Sequence, residues 1–447
     1  MKKTSIVFLT ITVWPVFVAA QAQNTAPTRY AVIDLGTLGG AFGSSAHSIN
    51  NEGWIAGVAN LPGDTVEHAA LWRDGVVTDL GTLGGDNSNV DFPVKNDAGL
   101  IVGFAQTSTI DPLGENFCVF SCTPSGGACN GSNQSCRGFR WRNGVMDPLG
   151  TIGGHNSAAL GANNRGLVVG VAENSTQDPN CIPPQVLDYK AVVWRGGAIH
   201  ELPPVAGDAI GAAIGVNDYN QVVGGSGMCG SGPGIGPISI HAVLWQNNSV
   251  TDLGSLGGVE NNFALAINNR GQVVGYSDLP GDSTFHAFMW QNGIMSDLGT
   301  LPGDVFSMAN AINDGDQVVG QSCNSDFSVC RAFLWQTGVM TDLNALTPLG
   351  SSLYLVSAAD INVRGEIVGT AVDQSGEPLA FLALPCDEKR AGDQGCRDAA
   401  QTVGTEKPRV VLPDKARKGL RQQLGFRQLG LKIRNTIVSQ QSKQGAT

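Results

Sequence analysis

Charged side chains are scarce in this 447-residue chain: they fill 15% of positions, and aromatic residues only 6%. The 60 glycines speak for many tight turns rather than long helices, so an all-β fold of short strands is the first expectation. Past the first twenty or so residues there is no long apolar run. None approaches the roughly 18 to 20 residues of a membrane-spanning helix, so no membrane span is expected. The sequence also lacks G-x-S-x-G, H-E-x-x-H, phosphate-loop and calcium-loop patterns, so it assigns no catalytic residue, cofactor or metal.

The leading segment MKKTSIVFLTITVWPVFVAAQA has two lysines, an apolar stretch from Ile6 to Ala20 and the small-residue site Ala20-Gln21-Ala22. This is the pattern of a cleaved secretory signal over 1–22, and it places the mature protein in a secreted, extracellular or periplasmic, setting. Ten cysteines follow: Cys118, Cys122, Cys129, Cys136, Cys181, Cys229, Cys323, Cys330, Cys386 and Cys396. An even count in an exported chain reads as disulfides. Zinc is the rival for the 118–136 cluster, but its spacing matches no common finger. Cys323 is expected to pair with Cys330 and the 118–136 group to form two local bridges, with Cys181 in reach of Cys229 in the next repeat.

Internal repetition is the strongest signal. An Asn-x-x-(Gly)-x-(Ile/Val)-x-Gly word occurs seven times, with its asparagine at Asn50, Asn96, Asn163, Asn217, Asn268, Asn313 and Asn362. A second word ends in tryptophan at Trp72, Trp141, Trp194, Trp245, Trp290 and Trp335, with Ala383 in the seventh copy. Each unit divides into four short strands, a to d: ALAIN, QVVG, HAFMW and IMSDLG in the fifth. Turns such as Asn292-Gly293 and Asp74-Gly75 supply the positive φ that a tight c-to-d hairpin needs. Four short antiparallel strands that can bury their faces only against like neighbours define a β-propeller blade. A d-type segment, YAVIDLGTLGG, precedes the first a strand, and the last unit ends without one. The expected fold is therefore a seven-bladed β-propeller over 23–386, closed by its N-terminal strand. A monomer is expected.

The words HAFMW, MSDLGTLPG and AINNRGQVVG resemble the probable extracellular repeat named HAF for its His-Ala-Phe signature, over about residues 30 to 386. The resemblance implies a secreted bacterial repeat protein of propeller type and no particular activity.

From the strand-b glycine to the strand-c tryptophan position the separations are 15, 38, 24, 21, 15, 15 and 14, whereas tryptophan to the next asparagine varies only from 22 to 27. Variation is concentrated in the b-to-c loops, which a propeller gathers with the d-to-a connections on one face. Eight of the ten cysteines lie in them. Irregular loops on a rigid scaffold suit binding; the plainer reading is tolerated insertion.

Three repeats carry His68, His241 and His286 where others carry Arg137, Lys190, Arg331 and Leu379. Arginine and lysine do not replace imidazole as ordinary metal ligands. All of the polar ones donate hydrogen bonds, and strand d supplies Asp34, Asp79, Glu201, Asp252, Asp297 and Asp342, with Pro148 the exception. A structural donor-to-carboxylate contact is expected. The repeated asparagines are expected to serve local turn amides, and three Leu-Pro-Gly-Asp copies to form turns. In strand a only His47, Lys95, Asn310 and Asp360 break an otherwise apolar pattern, so no acid pair for glycoside hydrolysis is visible.

Beyond Cys386 the chain turns basic. Residues 387–447 hold 13 Lys plus Arg against 6 Asp plus Glu, while 23–386 hold 12 against 32. The tail is expected to be helical or disordered, with docking on the acidic disc or an anionic envelope surface as the other option. Nucleic acid is not expected as a partner of an exported acidic domain. The leading functional expectation is a non-enzymatic binding or scaffold module for a protein or glycan at the b-to-c loop face. The alternatives are a carbohydrate-active hydrolase or lyase, and a purely structural surface protein.

Overall fold

Glycine at one repeated position decides how close the first two strands of every blade can run. A computed structural model of the protein describes residues 28–94, 96–115, 117–118, 134–181, 185–229, 238–386, 396–397 and 409–412. Within them lie seven four-stranded antiparallel sheets, six of them in the order a-b-c-d. The seventh takes its a, b and c strands from Tyr354–Ile361, Ile367–Val372 and Pro378–Pro385, and its outer strand from Tyr30–Asp34. Tyr30 pairs with Pro385 and Asp34 with Phe381. The fold is thus a seven-bladed β-propeller in which the first strand completes the last blade.

Strand a carries a recurring irregularity. Its pairing with strand b slips by one residue after Ala46, Ala159, Ala213, Ala264, Ala309 and Ala358, each four places before the repeated asparagine. These bulges push a strand-a carbonyl toward strand b. A Cβ at Gly57, Gly170, Gly224, Gly275, Gly320 or Gly369 would lie 1.9 to 2.0 Å from that oxygen. Only a residue without a side chain fits there, which accounts for the glycine seven places after each asparagine.

The blades bury themselves against one another. One apolar cluster joins Ala46, Ile49 and Trp72 of blade one to Val368 and Ala380 of blade seven. Another joins Ala287 and Val274 of blade five to Ala309 and Phe333 of blade six. The strand-c alanines Ala69, Ala242, Ala287, Ala332 and Ala380 are fully buried. The amides of Ala69, Ala287 and Ala380 donate to Ser88, Ser307 and Ser44 on strand a of the following blade, at 2.8 to 2.9 Å.

Past Cys386 the described residues depart from the helical or disordered expectation in one place. Arg409–Leu412 has no helical structure and lies on the disc, with Leu412 fully buried. Two aliphatic side chains alternate inward there, and their burial fixes the segment without helix formation.

The bulge makes a sharp forecast. Gly320→Ala would set a methyl 1.9 Å from the Met308 carbonyl oxygen, and overpacking of this kind costs about 1 to 3 kcal/mol or more. Gly150→Ala, with nothing within 4 Å, should change stability by less than about 0.5 kcal/mol. Equal urea midpoints for the two variants would refute the close-approach account.

Candidate functional site

The repeated asparagines do more than serve their turns. Each Oδ1 accepts two backbone amides of its own turn, as Asn50 does from Glu52 and Trp54 at 3.0 and 2.8 Å. Each Nδ2 donates to the backbone carbonyl of the next blade's asparagine. The links run Asn50, Asn96, Asn163, Asn217, Asn268, Asn313, Asn362 and back to Asn50, at 2.7 to 3.2 Å. The local role is therefore only half of the contact; the other half is a closed ring around the axis.

The next residue of each turn builds a second, incomplete ring: Asn51, Asp97, Asn164, Asp218, Asn269 and Asp314, with Val363 in the seventh place. The Asn269 side chain, for example, joins the carboxylates of Asp218 and Asp314 at 3.4 and 3.2 Å. Both rings line a cavity of about 60 Å³ floored by Ile49, Val216, Ile267, Ile312 and Ile361. Such a space holds a water or two, against the several hundred Å³ of an organic ligand site.

Beyond this cavity, Phe92, Leu160, Ile214, Leu265, Met308 and Val356, one from each of six blades, belong to one buried apolar cluster. The polar strand-a residues answer to neighbouring strands. His47 bonds Ser45 and the Val90 carbonyl at 2.6 and 2.8 Å. Asn310 donates to the Ala358 carbonyl at 2.8 Å, and Asp360 accepts from the Ile49 amide at 2.9 Å. Lys95 lies outside the described residues.

The signature donors meet carboxylates near the loop-bearing face. His68 Nδ1 lies 2.8 Å from Asp79, and His286 Nδ1 2.9 Å from Asp297. Burial pushes the Asp297 carboxyl upward, but the His286 contact and the Gly299 amide outweigh it and hold the group below its ordinary range. His241 instead takes Asp208 of the preceding connection at 3.0 Å, with Asp252 at 3.9 Å. Lys190 takes Asp188 at 3.3 Å and the Ala209 carbonyl rather than Glu201. Arg331 reaches Asp342 at 3.3 Å but makes its shorter contact, 2.8 Å, with buried Asp304 of a Leu-Pro-Gly-Asp turn. Pro148 gives Arg137 no acid; burial pushes its guanidinium down, and nearby Glu173 of the next blade offsets this in part. The other two such turns turn inward differently: Asp64 accepts from the Phe42 amide and Asp282 from the Val259 amide. Trp72 is buried and Trp290 and Trp335 half-buried; the Trp245 indole donates to the Pro203 carbonyl at 2.7 Å.

Four disulfides are present among the described residues: Cys118–Cys136, Cys181–Cys229, Cys323–Cys330 and Cys386–Cys396. Cys181–Cys229 ties the loops of blades three and four together. Cys122 and Cys129 lie outside the described residues. Asp178 sits against the Cys181–Cys229 bridge, but sulfurs joined to each other offer no thiolate to a metal. These bridges are compatible with an oxidising compartment, and no helix among the described residues is long and apolar enough to cross a membrane.

Under the stapled loops lies a buried acidic cluster that the sequence did not reveal. Glu115, from the blade-two loop, accepts the Val186 and Leu187 amides of blade three at 2.7 and 2.8 Å. Gln185 Nε2 bridges Glu115 and Glu173 at 3.2 and 3.0 Å. Asn156 Nδ2 bridges Glu173 and Asp111 at 3.0 and 2.8 Å. Glu115 Oε2 is buried with no partner. Burial first, and then the neighbouring Glu115 charge, push Glu173 up to about 7. Burial also raises Glu115. The only sequence signal was indirect, the long cysteine-bearing loops; no periodicity marks an acid in irregular chain.

A row of aromatic rings runs along the same face from blade five to blade six: Phe263, Tyr276, Phe285, Phe306 and Phe327. Successive centroids are 6.2, 5.3, 4.9 and 4.7 Å apart. The Cys323–Cys330 loop holds Phe327, at a φ of 57°, on the end of the row.

No family model matches the chain, and no curated protein matches it. Among solved structures it is similar to dipeptidyl peptidase 4 of Porphyromonas gingivalis, with a TM-score of 0.35 and 9% identity over 78% of this chain. It is also similar to the polysaccharide lyase Uly1, with a TM-score of 0.40 and 8% identity over 79% of this chain and 91% of that one. The chain spans 52% of the peptidase. At these scores neither likeness bears on activity.

Two sets of variants test the electrostatics. The Arg331–Asp304 pair is buried, with side chains 3% and 0% exposed, whereas Asp297 beside His286 is 42% exposed. Arg331→Ala should cost about 3 to 5 kcal/mol by stranding a buried carboxylate, and His286→Ala only about 0 to 1 kcal/mol. Thermal unfolding reads both, and chelator should move neither; a chelator-sensitive melt abolished by His286→Ala would return the histidines to metal binding.

For Glu173 the folded value of about 7 lies above the ordinary 4.5. The folded chain therefore keeps a proton that the unfolded chain has released, and stability falls as pH rises from 4.5 through about 7. The loss is on the order of 2 to 3 kcal/mol. Glu173→Gln should flatten this slope, with urea unfolding at pH 5 and pH 8.5 as the measurement.

Proposed function

We propose that the protein is a secreted, non-enzymatic binding or scaffold module of the extracellular HAF-repeat type, acting through its loop-bearing face. The observation that carries this reading is the axial channel, to which the inner strands contribute one buried apolar cluster. Its apolar side chains and closed asparagine ring occupy the place where a propeller could otherwise admit a substrate. The polar strand-a residues seen in the structure are engaged with neighbouring strands, and Gln185 and Asn156 bond Glu115, Glu173 and Asp111, with Glu115 Oε2 left unpartnered. What varies from blade to blade is the length of the cysteine-bearing b-to-c loops, and a rigid scaffold bearing such loops is suited to recognition. Partners of this face would be an envelope or extracellular glycan or a protein, met outside the cytoplasm where the bridges persist.

The test combines binding and turnover on one sample. Mature protein is incubated with envelope polysaccharides, and co-sedimentation is measured beside new reducing ends and unsaturated sugar absorbance. The expected outcome is a bound fraction without product, reduced when residues 119–133 are replaced by a short Gly-Ser linker. Product formed in proportion to protein would replace this reading with a hydrolase or lyase.

A further inference from the structure

The four residues Arg409–Leu412 lie on the loop-bearing face outside any helix or paired strand. Val410 and Leu412 turn inward and Val411 outward, the last 66% exposed. Leu412 is fully buried in the apolar cluster that contains Phe306, Cys323, Cys330 and Tyr354, and Val410 and Phe327 pack on the same cluster. The Leu412 amide donates to the Ser328 carbonyl at 2.8 Å. Arg409 donates to the Pro302 carbonyl at 3.0 Å, an oxygen that Arg331 also reaches at 3.0 Å.

This is a built groove. One wall is the Cys323–Cys330 loop, which presents Phe327 and the Ser328 carbonyl. The other is the start of blade seven at Tyr354, and the Pro302 carbonyl stands at the basic end. One buried polar atom there, Asp304 Oδ1, is left without a partner by the chain's own segment, while the Tyr354 hydroxyl meets the Val410 backbone. Buried polar atoms without partners are uncommon in a finished interface.

We propose that this groove is a binding site for an extended peptide of the pattern basic, aliphatic, any residue, aliphatic, and that residues Arg409–Leu412 occupy it in cis. Main-chain hydrogen bonding at one edge with alternate side chains in apolar pockets is the recognition mode of added strands. The proposal rests on the reading that the loop face is the binding surface, and names a peptide as one class of partner for it. A tethered segment competes at a local concentration on the order of millimolar, so a peptide in trans meets an already filled groove. A partner peptide with a further donor toward Asp304 Oδ1 would displace it.

The experiment uses the full chain and a fluorescent peptide of residues 405–415, TEKPRVVLPDK. Leu412→Asp in the protein should release the segment, and anisotropy should then show the peptide binding about tenfold or more tighter than to wild type. Val411→Asp, at the outward position, should bind the peptide as weakly as wild type. A peptide carrying Asp in place of leucine should bind to none of the proteins. Arg409→Glu gives a second release variant should Leu412→Asp fail to fold, and hydrogen exchange of the Leu412 amide in wild type should accelerate with excess peptide. Equal binding to wild type and release variants, or no binding to a folded release variant, overturns the proposal. Either result leaves the glycan co-sedimentation assay to judge the loop face separately.

Discussion

One side-chain amide, repeated seven times, sets the geometry on which the rest of the disc depends. Each repeated asparagine ties its own a-to-b turn with Oδ1 and hands Nδ2 to the next blade's carbonyl. A local turn and a global ring are thus made by the same three-atom group. The last link, Asn362 to Asn50 at 3.2 Å, spans residues 312 apart in sequence. It closes the inner edge of the blade-seven to blade-one junction. The outer strand Tyr30–Asp34, paired with Phe381–Pro385, secures the last blade at the rim. Neutral hydrogen bonds are worth about 1 kcal/mol each, so the ring alone does not hold the disc together. Its effect is to fix the spacing at which alanine, glycine and phenylalanine surfaces of adjacent blades meet.

The fold was legible because repetition converts local signals into a count. Four strands per unit, tight Asn-Gly turns and a displaced outer strand determine blade number and closure without any long-range information. The signature alanine is equally intelligible: Ala287 and Ala380 are fully buried because the next blade's strand a presses on them. What could not be read was direction. Nothing in N-N-R-G says that Nδ2 points at a neighbouring blade. Nothing around Lys190 says that its acid is Asp188 two residues away rather than Glu201 across the hairpin. Spacing identifies which residues can form a turn, while the packing angle between sheets decides what their remaining atoms touch. The glycine of strand b was visible as a recurrence, but its cause, a bulge carbonyl within 2.0 Å of any Cβ, exists only in three dimensions.

The Glu115 and Glu173 cluster lay beyond reach for a different reason. Its members come from the b-to-c loops of blades two and three, Glu115 and Gln185, and from strands a and b of blade three, Asn156 and Glu173. Two carboxylates held by one glutamine amide depend on the blade-two loop folding over blade three, so proximity is set by loop conformation. Cysteine spacing marked those loops as ordered but could not name their contents. The same limit applied to the tail: its basic composition suggested helix, disorder or docking on the acidic disc, and could not say that four residues of it would lie against one apolar cluster. Composition over sixty residues describes an average, and docking is decided by four.

Symmetry separates structure from use in this molecule. Features present in every blade, the asparagine ring, the strand-b glycine and the interlocking strand-c positions, have a packing explanation that needs no ligand. Departures from sevenfold repetition gather on the loop-bearing face: the long loops of blades two to four, the acids beneath them, the Phe263-to-Phe327 row and the groove at blades six and seven. The charge contrast between an acidic disc and a basic tail would bring the two together loosely and anywhere, since charges beyond about 10 Å are screened at ordinary salt. It is the buried Leu412 and the backbone bond at Ser328 that choose one place. For Arg409–Leu412, burial and one main-chain bond, rather than charge, set the place.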